Sequence, residues 1–485
     1  MSAIETERLD VVVIGSGLAS LNFIEAYLSK KRKIHVISPD FSLDLSKSEE
    51  RNNHAIKFLP TQMGKSFTKA KNYYFSNKFS IDQNCKLLGS LEFGGLSNYW
   101  GLQLDSEISE DISYLKKKTA EDIKKAFFEF LKKNKLIGKI TLGKKFKYDN
   151  DYEIPYKISF LNKLKKSNYY LNKPILAFIH KKKKIKKKIS LSDINEKENK
   201  LTSSVFFKRY LKNKDIKFHN CYVEKIFKNK NKINILCKDK NNYTKNFLAN
   251  KVIFGSGTVA TTKIIMEFLN INNEVKIKHH PRLISVFFSK EKIKSPLTFT
   301  PSLFQIKSRS KKNSFSADFR PGNKLITNSI IELNWLLYPL KFIINLVKDR
   351  LIFSNVLLDS SFSNLYIRKD NKRKIFKVYS REKPTLEILK EKQLKIFKFL
   401  LSQNKIFPIF RNFFPGVGAD YHYFGTIPME CKKAKNKLSV NQECQLRNNK
   451  NIYIVDGSVI DFKKNKYPLG VIIANARRIG KKLSK

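Results

Sequence analysis

Hydrophobic positions along the chain fall into a few sharply bounded runs, and the first sets the architecture. Val11–Ile14 is a continuous apolar run, the pattern of a strand buried on both faces. It leads straight into the glycine turn of DVVVIGSGLAS (Asp10–Ser20). A helical pattern follows over Ala19–Ser29, then a second short strand at Ile34–Ser38. Together these predict a βαβ unit. Strand-like alternation returns at 216–237 and is followed by KVIFGSGTVATTKIIMEFL (251–269), a second strand–glycine–helix element. The segment from Asn451 onward predicts a strand, a turn and a closing helix whose last turns are basic, which suits the negative end of the helix dipole.

Between these elements the pattern loosens. KLLGSLEFGGLSNYWGLQLD (86–105) is another glycine-rich island. Residues 111–215 are Lys-rich and less regular. Their basic run His180–Ile189 reads as a solvated loop or hairpin edge, or alternatively as a phosphate-tracking patch. Residues 282–410 read as a second insertion. Within it Trp335–Val347 (WLLYPLKFIINLV) is apolar but interrupted by Pro339, Lys341 and Asn345, which predicts a core or substrate-lid helix, or else a membrane-surface helix. The predicted organisation is α/β (α+β overall). A Rossmann-like domain is assembled from residues 1–110, 216–281 and 411–485, and 111–215 with 282–410 form a discontinuous substrate-binding domain. No internal repeat is visible.

The chain has 485 residues, of which 41% are apolar, enough to bury a sizeable core. Its 96 Lys and Arg against 42 Asp and Glu give a net charge of +54. Such an excess suits an anionic membrane or glycan surface. It suits compositional drift at solvated positions better, because the surplus is mostly Lys spread along the chain. No nucleic-acid partner is expected, since no nucleic-acid motif accompanies the charge. Five cysteines without a CxxC pair suggest neither a disulfide framework nor a zinc site. There is no secretory pattern in MSAIETERLD and no run of about 18 apolar residues. The expected location is cytoplasmic, with a peripheral membrane placement as the alternative.

The glycine turn carries the first chemical signal. Gly15 suits a tight backbone turn, and Gly17 lets the main chain approach a pyrophosphate, which the helix N-terminus then faces. The third small position of such a fingerprint is Ser20. An acidic residue is usual at the end of the second strand, where this chain has Ser38-Pro39-Asp40, so the ribose contact is displaced or absent.

Four later blocks follow in order: GGLSNYWG (Gly94–Gly101), FGSGTVATTKIIM (Phe254–Met266), HYFGTIPM (His422–Met429), and VDGSVI (Val455–Ile460) with YPLGVIIANARRI (Tyr467–Ile479). With GSGLAS they resemble the glucose–methanol–choline (GMC) oxidoreductases, a family of flavoenzymes. The resemblance spans about 200 residues in separate blocks and skips both insertions. It implies FAD as cofactor, with Gly15, Gly17 and Ser20 at the pyrophosphate. Gly94, Gly95, Ser97 and Asn98 would line the pyrophosphate and flavin, and Val223 the adenine-side strand. Gly255 would lie under the adenosine end, and Asp456 with Gly457 near the ribityl chain.

Oxidising an alcohol at a flavin requires a base for the hydroxyl proton and hydride delivery to the ring N5; the protein supplies base, orientation and electrostatics. By the resemblance His422 is the catalytic histidine. The family's second partner, His or Asn before a proline, is here Tyr467 before Pro468, a poor base at neutral pH. Asn465 lies two residues earlier and offers a substitute. His279 and His280 are expected to be structural. No metal site is expected, and neither a GxSxG elbow nor a P-loop is present. The implied activity is FAD-dependent oxidation of a CH–OH group on a sugar, polyol or similar small molecule. Oxygen, a quinone or a protein remain open as electron acceptor. The alternative is a catalytically degenerate flavin fold that binds an anionic membrane or glycan. An NAD-dependent dehydrogenase leaves GGLSNYWG and HYFGTIPM without a role.

Overall fold

The computed structural model describes residues 6–28, 33–39 and 79–485, apart from 142–146, 150–168, 178–200, 294–301, 309–313, 323–326, 328–334, 403–405, 409–411, 431–436, 463–466 and some gaps of one to three residues. The basic run His180–Ile189 and Asn465 lie outside the described residues. The fold is mixed α/β.

Its centre is a parallel sheet in the order Ile216–His219, Ile34–Ile37, Thr6–Ile14, Thr244–Phe254, Ile452–Ile454. The apolar run Val11–Ile14 lies in the middle of this sheet, which is why it reads without polar alternation. Thr244–Phe254 shares one edge between two partners. Its first half pairs antiparallel with the hairpin Tyr222–Asn229/Lys232–Lys238, with Ile233 opposite Ala249. Its end pairs in parallel with the last strand, with Val252 opposite Ile452. The segment 216–237 thus divides into three strands.

Helices Leu18–Tyr27 and Leu469–Leu483 pack together on this sheet, and Lys117–Asn134 packs on the latter. Gly480 lets the backbones approach, since a Cβ there would meet Ala26 Cβ at 2.9 Å. The buried Glu25 carboxylate ties the three helices together. It accepts from Arg477 at 2.8 Å, from Lys133 at 3.0 Å and from Tyr210 at 2.9 Å.

A six-stranded antiparallel sheet stands beside this domain, ordered Ile406–Pro408, Arg282–Ser289, Leu351–Leu358, Phe315–Pro321, Phe304–Ser308, Tyr169–Asn172. In the strands Phe304–Ser308 and Phe315–Pro321 apolar and polar positions alternate. Phe287, Phe304 and Phe319 share one face with the helix Thr385–Ser402, with Phe287 and Phe397 rings 5.1 Å apart. Gln305, Lys307, Asp318, Arg320 and Asn355 lie on the other face. A smaller sheet joins Phe79–Ile81 to Val275–Ile277, Leu365–Asp370 and Ile375–Ser380.

Of the expectations for 335–347, a core or substrate-lid helix or else a membrane-surface helix, the core helix is corrected over Tyr338–Val347. Trp335–Leu340 is a 3-10 segment and Lys341–Val347 a two-turn helix. Of Tyr338–Val347, only Ile344 is buried. Pro339 and the wide spread of apolar positions prevent a single buried stripe.

Candidate active site

Three glycine islands meet at one point. Gly15 has φ +103°, and a Cβ there would lie 2.7 Å from the Gly255 carbonyl. Gly17 caps the helix Leu18–Tyr27 without a side chain, and its Cβ position is 3.9 Å from both the Gly255 and Gly94 carbonyls. Ser16 Oγ accepts from the Gly94 N–H at 2.8 Å and from Ser38 Oγ at 2.7 Å, so the end of the second strand is pinned to both turns. Ser20 fills the third fingerprint position by donating to the Gly255 carbonyl at 3.2 Å. A Cβ on Gly255 would fall onto the Ser20 hydroxyl.

Gly94 and Gly95 both have positive φ, which opens the turn into the short helix Gly95–Asn98. Ser97 Oγ donates to the Gly94 carbonyl at 2.6 Å and lies 2.9 Å from Ser203 Oγ. Asn98 closes that helix, and its side chain lies outside the described residues. Val223 sits in the hairpin strand opposite Cys237, just before a bulge.

The carboxy-terminal blocks lock onto the same place through Asp456. Its Oδ2 accepts from the Gly257 N–H at 3.0 Å and Thr261 Oγ1 at 2.5 Å; its Oδ1 accepts from the Ser458 N–H at 3.1 Å and Ser458 Oγ at 2.5 Å. Burial pushes the Asp456 carboxyl above its usual range, while these donors pull it back. Gly457 is required by space, since a Cβ would lie 2.8 Å from Thr258 Oγ1 and from the Tyr423 carbonyl. Thr258 Oγ1 donates to that carbonyl at 2.6 Å, and the Gly425 N–H donates to the Gly457 carbonyl at 3.1 Å. The loop that carries His422 is thereby stitched to both turns.

The residue before His422 is held in a costly conformation. Tyr421 has φ +66°, a left-handed backbone that a bulky aromatic adopts only under strain. Arg282 sits 5.0 Å over its ring. The His422 ring lies 6.3 Å from Tyr467 and 6.0 Å from His280, nearly perpendicular to each. Its Nδ1 and the Tyr467 hydroxyl are buried, and neither has a hydrogen-bond partner among the described residues.

Burial lowers the His422 imidazole to about 4, against the Asp420 carboxylate and reinforced by the Arg282 and Arg320 guanidiniums. Its ring is uncharged at neutral pH, the form that accepts a proton. Burial and the Asp318 carboxylate push the Tyr467 phenol well above 10. It is therefore a hydrogen-bond donor rather than a base. The structure brings His422 and Tyr467 together.

His279 and His280 are fully buried beside this group. Asp420 accepts from His279 Nδ1 at 2.9 Å and from the His280 N–H at 2.8 Å. The His280 Nδ1 lies 3.2 Å from the Leu358 carbonyl, and burial pushes its imidazole to about 3.

Sequence reasoning did not single out the polar face of the six-stranded sheet. Arg320 Nε donates to Asp318 at 2.7 Å and Arg320 Nη2 to Gln103 at 3.1 Å. Ser302 also donates to Asp318. Lys307 and Asp105, both buried, pair at 2.9 Å. The charges of Asp318 and Arg320 reach both Tyr467 and His422. The available signal was the alternation in FQIKS and FSADFRP, where a polar residue at every second position of a buried strand marks a face turned toward a polar cavity.

A separate group, Glu7, His35 and His219, has its ligand atoms within 4.8 Å of one another. His35 Nδ1 lies 3.0 Å from His219 Nε2, and the Lys217 ammonium already occupies Glu7 at 2.7 Å.

Placed together, the fold and site define a mixed α/β protein in which three glycine turns converge and the His422 loop is fastened to them, with Asp318 and Arg320 of the antiparallel sheet near His422 and Tyr467. No family model matches the chain, and no curated protein matches it by sequence. Its fold is similar to that of a solved structure, pyridoxine 4-oxidase from Mesorbium loti, with TM-score 0.60 over 98% of this chain and 99% of that one, at 10% identity.

Proposed function

We propose that this protein is a FAD-dependent oxidoreductase acting on the CH–OH group of a sugar, polyol or similar small molecule. The observation that carries the reading is the His422 loop. Its neutral imidazole has a buried Nδ1 without a partner among the described residues, its ring centre lies 6.3 Å from that of Tyr467, and the same loop is hydrogen-bonded to Thr258 and Gly457 at the glycine cradle. The likeness of fold to an oxidase supports it.

The cradle fits a dinucleotide. Gly17 leaves the helix N-terminus without a side-chain cap, no acidic residue stands in that helix's first turn, and a Cβ at Gly257 (φ +88°) would meet nothing within 4 Å. Gly15, Gly17, Ser20, Gly94, Gly95, Ser97, Gly255, Asp456 and Gly457 would hold FAD. When bound, FAD would supply the two-electron acceptor. His422 would take the hydroxyl proton, Tyr467 would donate a hydrogen bond to the substrate oxygen, and Asp318 with Arg320 would fix the polarity of that wall.

Loading the purified protein with FAD, then mixing it anaerobically with a panel of sugars and polyols, tests this directly. Bleaching of the flavin absorbance by at least one alcohol is expected. A protein that takes up no flavin, or holds flavin that no alcohol reduces, overturns the proposal.

A further inference from the structure

The segment Tyr338–Arg350 presents an apolar face outward. Phe342 is 74% exposed, Leu346 67%, Tyr338 65% and Ile343 55%, with Leu340 beside them at 45%. In the short helix Phe342 and Leu346 are one turn apart, with Ile343 next to them, so they form one ridge. The opposite side holds the segment down. Ile344 packs with Leu351 and Phe353 in a small cluster of its own, edged by Val286, Phe288 and Val347, separate from the main core. A contiguous apolar ridge of this size on an anchored surface element marks an interaction site.

Charge decides what covers it. Lys341, Lys348 and Arg350 stand in the same segment against the one carboxylate of Asp349. The Lys341 ammonium lies 5.4 Å over the Tyr338 ring, and Arg350 lies 5.9 Å over Phe288. Aromatic and aliphatic tips flanked by cations suit the boundary between headgroups and acyl chains. With a net charge of +54, a second copy of the chain is repelled, whereas an anionic bilayer is attracted. Among the described residues no helix is long and apolar enough to cross a membrane.

We infer that the Tyr338–Leu346 ridge inserts shallowly into an anionic lipid bilayer and docks the protein on it. The position is notable for the site. Phe353, which packs under Ile344, pairs across the sheet with Arg320, so the docking segment sits on the same sheet face as Asp318 and Arg320. The inference does not depend on flavin or turnover.

The test uses the full chain with phosphatidylcholine vesicles with and without phosphatidylglycerol. Binding to the anionic vesicles that weakens in high salt is expected. The double variant Phe342→Ser with Leu346→Ser should lower it at least ~10-fold, with the thermal transition unchanged because both side chains are exposed. In Leu346→Trp, the added emission should shift to the blue on binding and be quenched by brominated lipid. A double variant that binds as tightly as the parent, or an unquenched L346W, overturns the inference. A parent that self-associates through this ridge and ignores vesicles overturns it in favour of a second copy.

Discussion

Asp420 holds two successive histidines at once, one carboxylate oxygen 2.9 Å from His279 Nδ1 and the other accepting the His280 N–H at 2.8 Å. Burial alone would raise this carboxyl, but the His279 contact wins and holds it at about 2. Because the folded value lies below the ordinary 3.8, its stabilisation is full above that pH and is lost as pH falls toward 2. Asp420→Ala leaves His279 and a buried N–H unmatched. It is expected to lower stability by ~3–5 kcal/mol, the scale of breaking a buried pair, as read from urea unfolding at neutral pH. A loss below ~1 kcal/mol would mean that water replaces the carboxylate.

The neighbouring histidines give the opposite kind of group a similar sign. His280 and His422 are held at about 3 and about 4, below the ordinary 6.5, so the unfolded chain binds protons that the folded one refuses. Stability should therefore fall as pH drops from 6.5 to 4, before most carboxylates titrate. Thermal melting across that window is the measurement. His280→Gln should flatten the slope; an unchanged slope would place the proton uptake elsewhere.

What the sequence made legible follows from what tolerates no alternative. Gly15, Gly255 and Gly457 each lack room for a Cβ, so the glycine islands announced themselves, and the apolar runs beside them named the parallel strands. Asp318 and Arg320 were not legible because they lie over a hundred residues from His422 in sequence and reach its surroundings only through sheet register. Arg282 and Asp420 were hidden differently, one on a strand of the second insertion and the other two residues before the histidine that drew attention. Trp335–Val347 looked like a core or lid helix because apolar content in one window does not say which side is covered. Its outward face became visible only in the structure, where Ile344 alone is buried among Tyr338–Val347.

Gly255→Ala should be among the most damaging single-methyl changes in the chain. The added Cβ falls on Ser20 Oγ and lies 3.1 Å from the Ser20 backbone nitrogen, at the point where two turns cross. Overpacking of this kind costs about 1–3 kcal/mol. Ser20→Ala in the same chain removes the hydroxyl but not the backbone, so it should restore part of the loss and not all. Full additivity of the two changes in thermal unfolding would show that they do not share this contact.

Asp456→Ala is expected to unlock the cradle rather than unfold the core. It removes the acceptor of four hydrogen bonds: those from Gly257 and Thr261 fasten the end of the carboxy-terminal strand to the second glycine turn, and the two from Ser458 close its own turn. At roughly 1 kcal/mol each, with buried donors left unmatched, stability should fall by several kcal/mol. Limited proteolysis should show early cleavage near residues 456–460. Asp456→Asn keeps an acceptor and should lose less; equal loss in both variants would mean the negative charge itself is required.

The most discriminating prediction separates His422 from Tyr467. If the imidazole takes the hydroxyl proton, His422→Ala should cost ~10²–10⁴ in the rate of flavin reduction, with flavin still bound. The histidine is kept neutral down to about 4, so the parent rate should stay level from neutral pH to about 5 and fall only below that, rather than near 6.5. Tyr467→Phe removes a buried hydroxyl that faces Asp318, Ser302 and Arg320 without a well-formed hydrogen bond, so stability should change little. Its effect should fall on substrate binding, as a raised KM with a smaller change in kcat. A Tyr467→Phe enzyme as slow as His422→Ala would give the phenol an equal share in the proton transfer, and a pH profile breaking near 6.5 would take His422 out of its buried, neutral state.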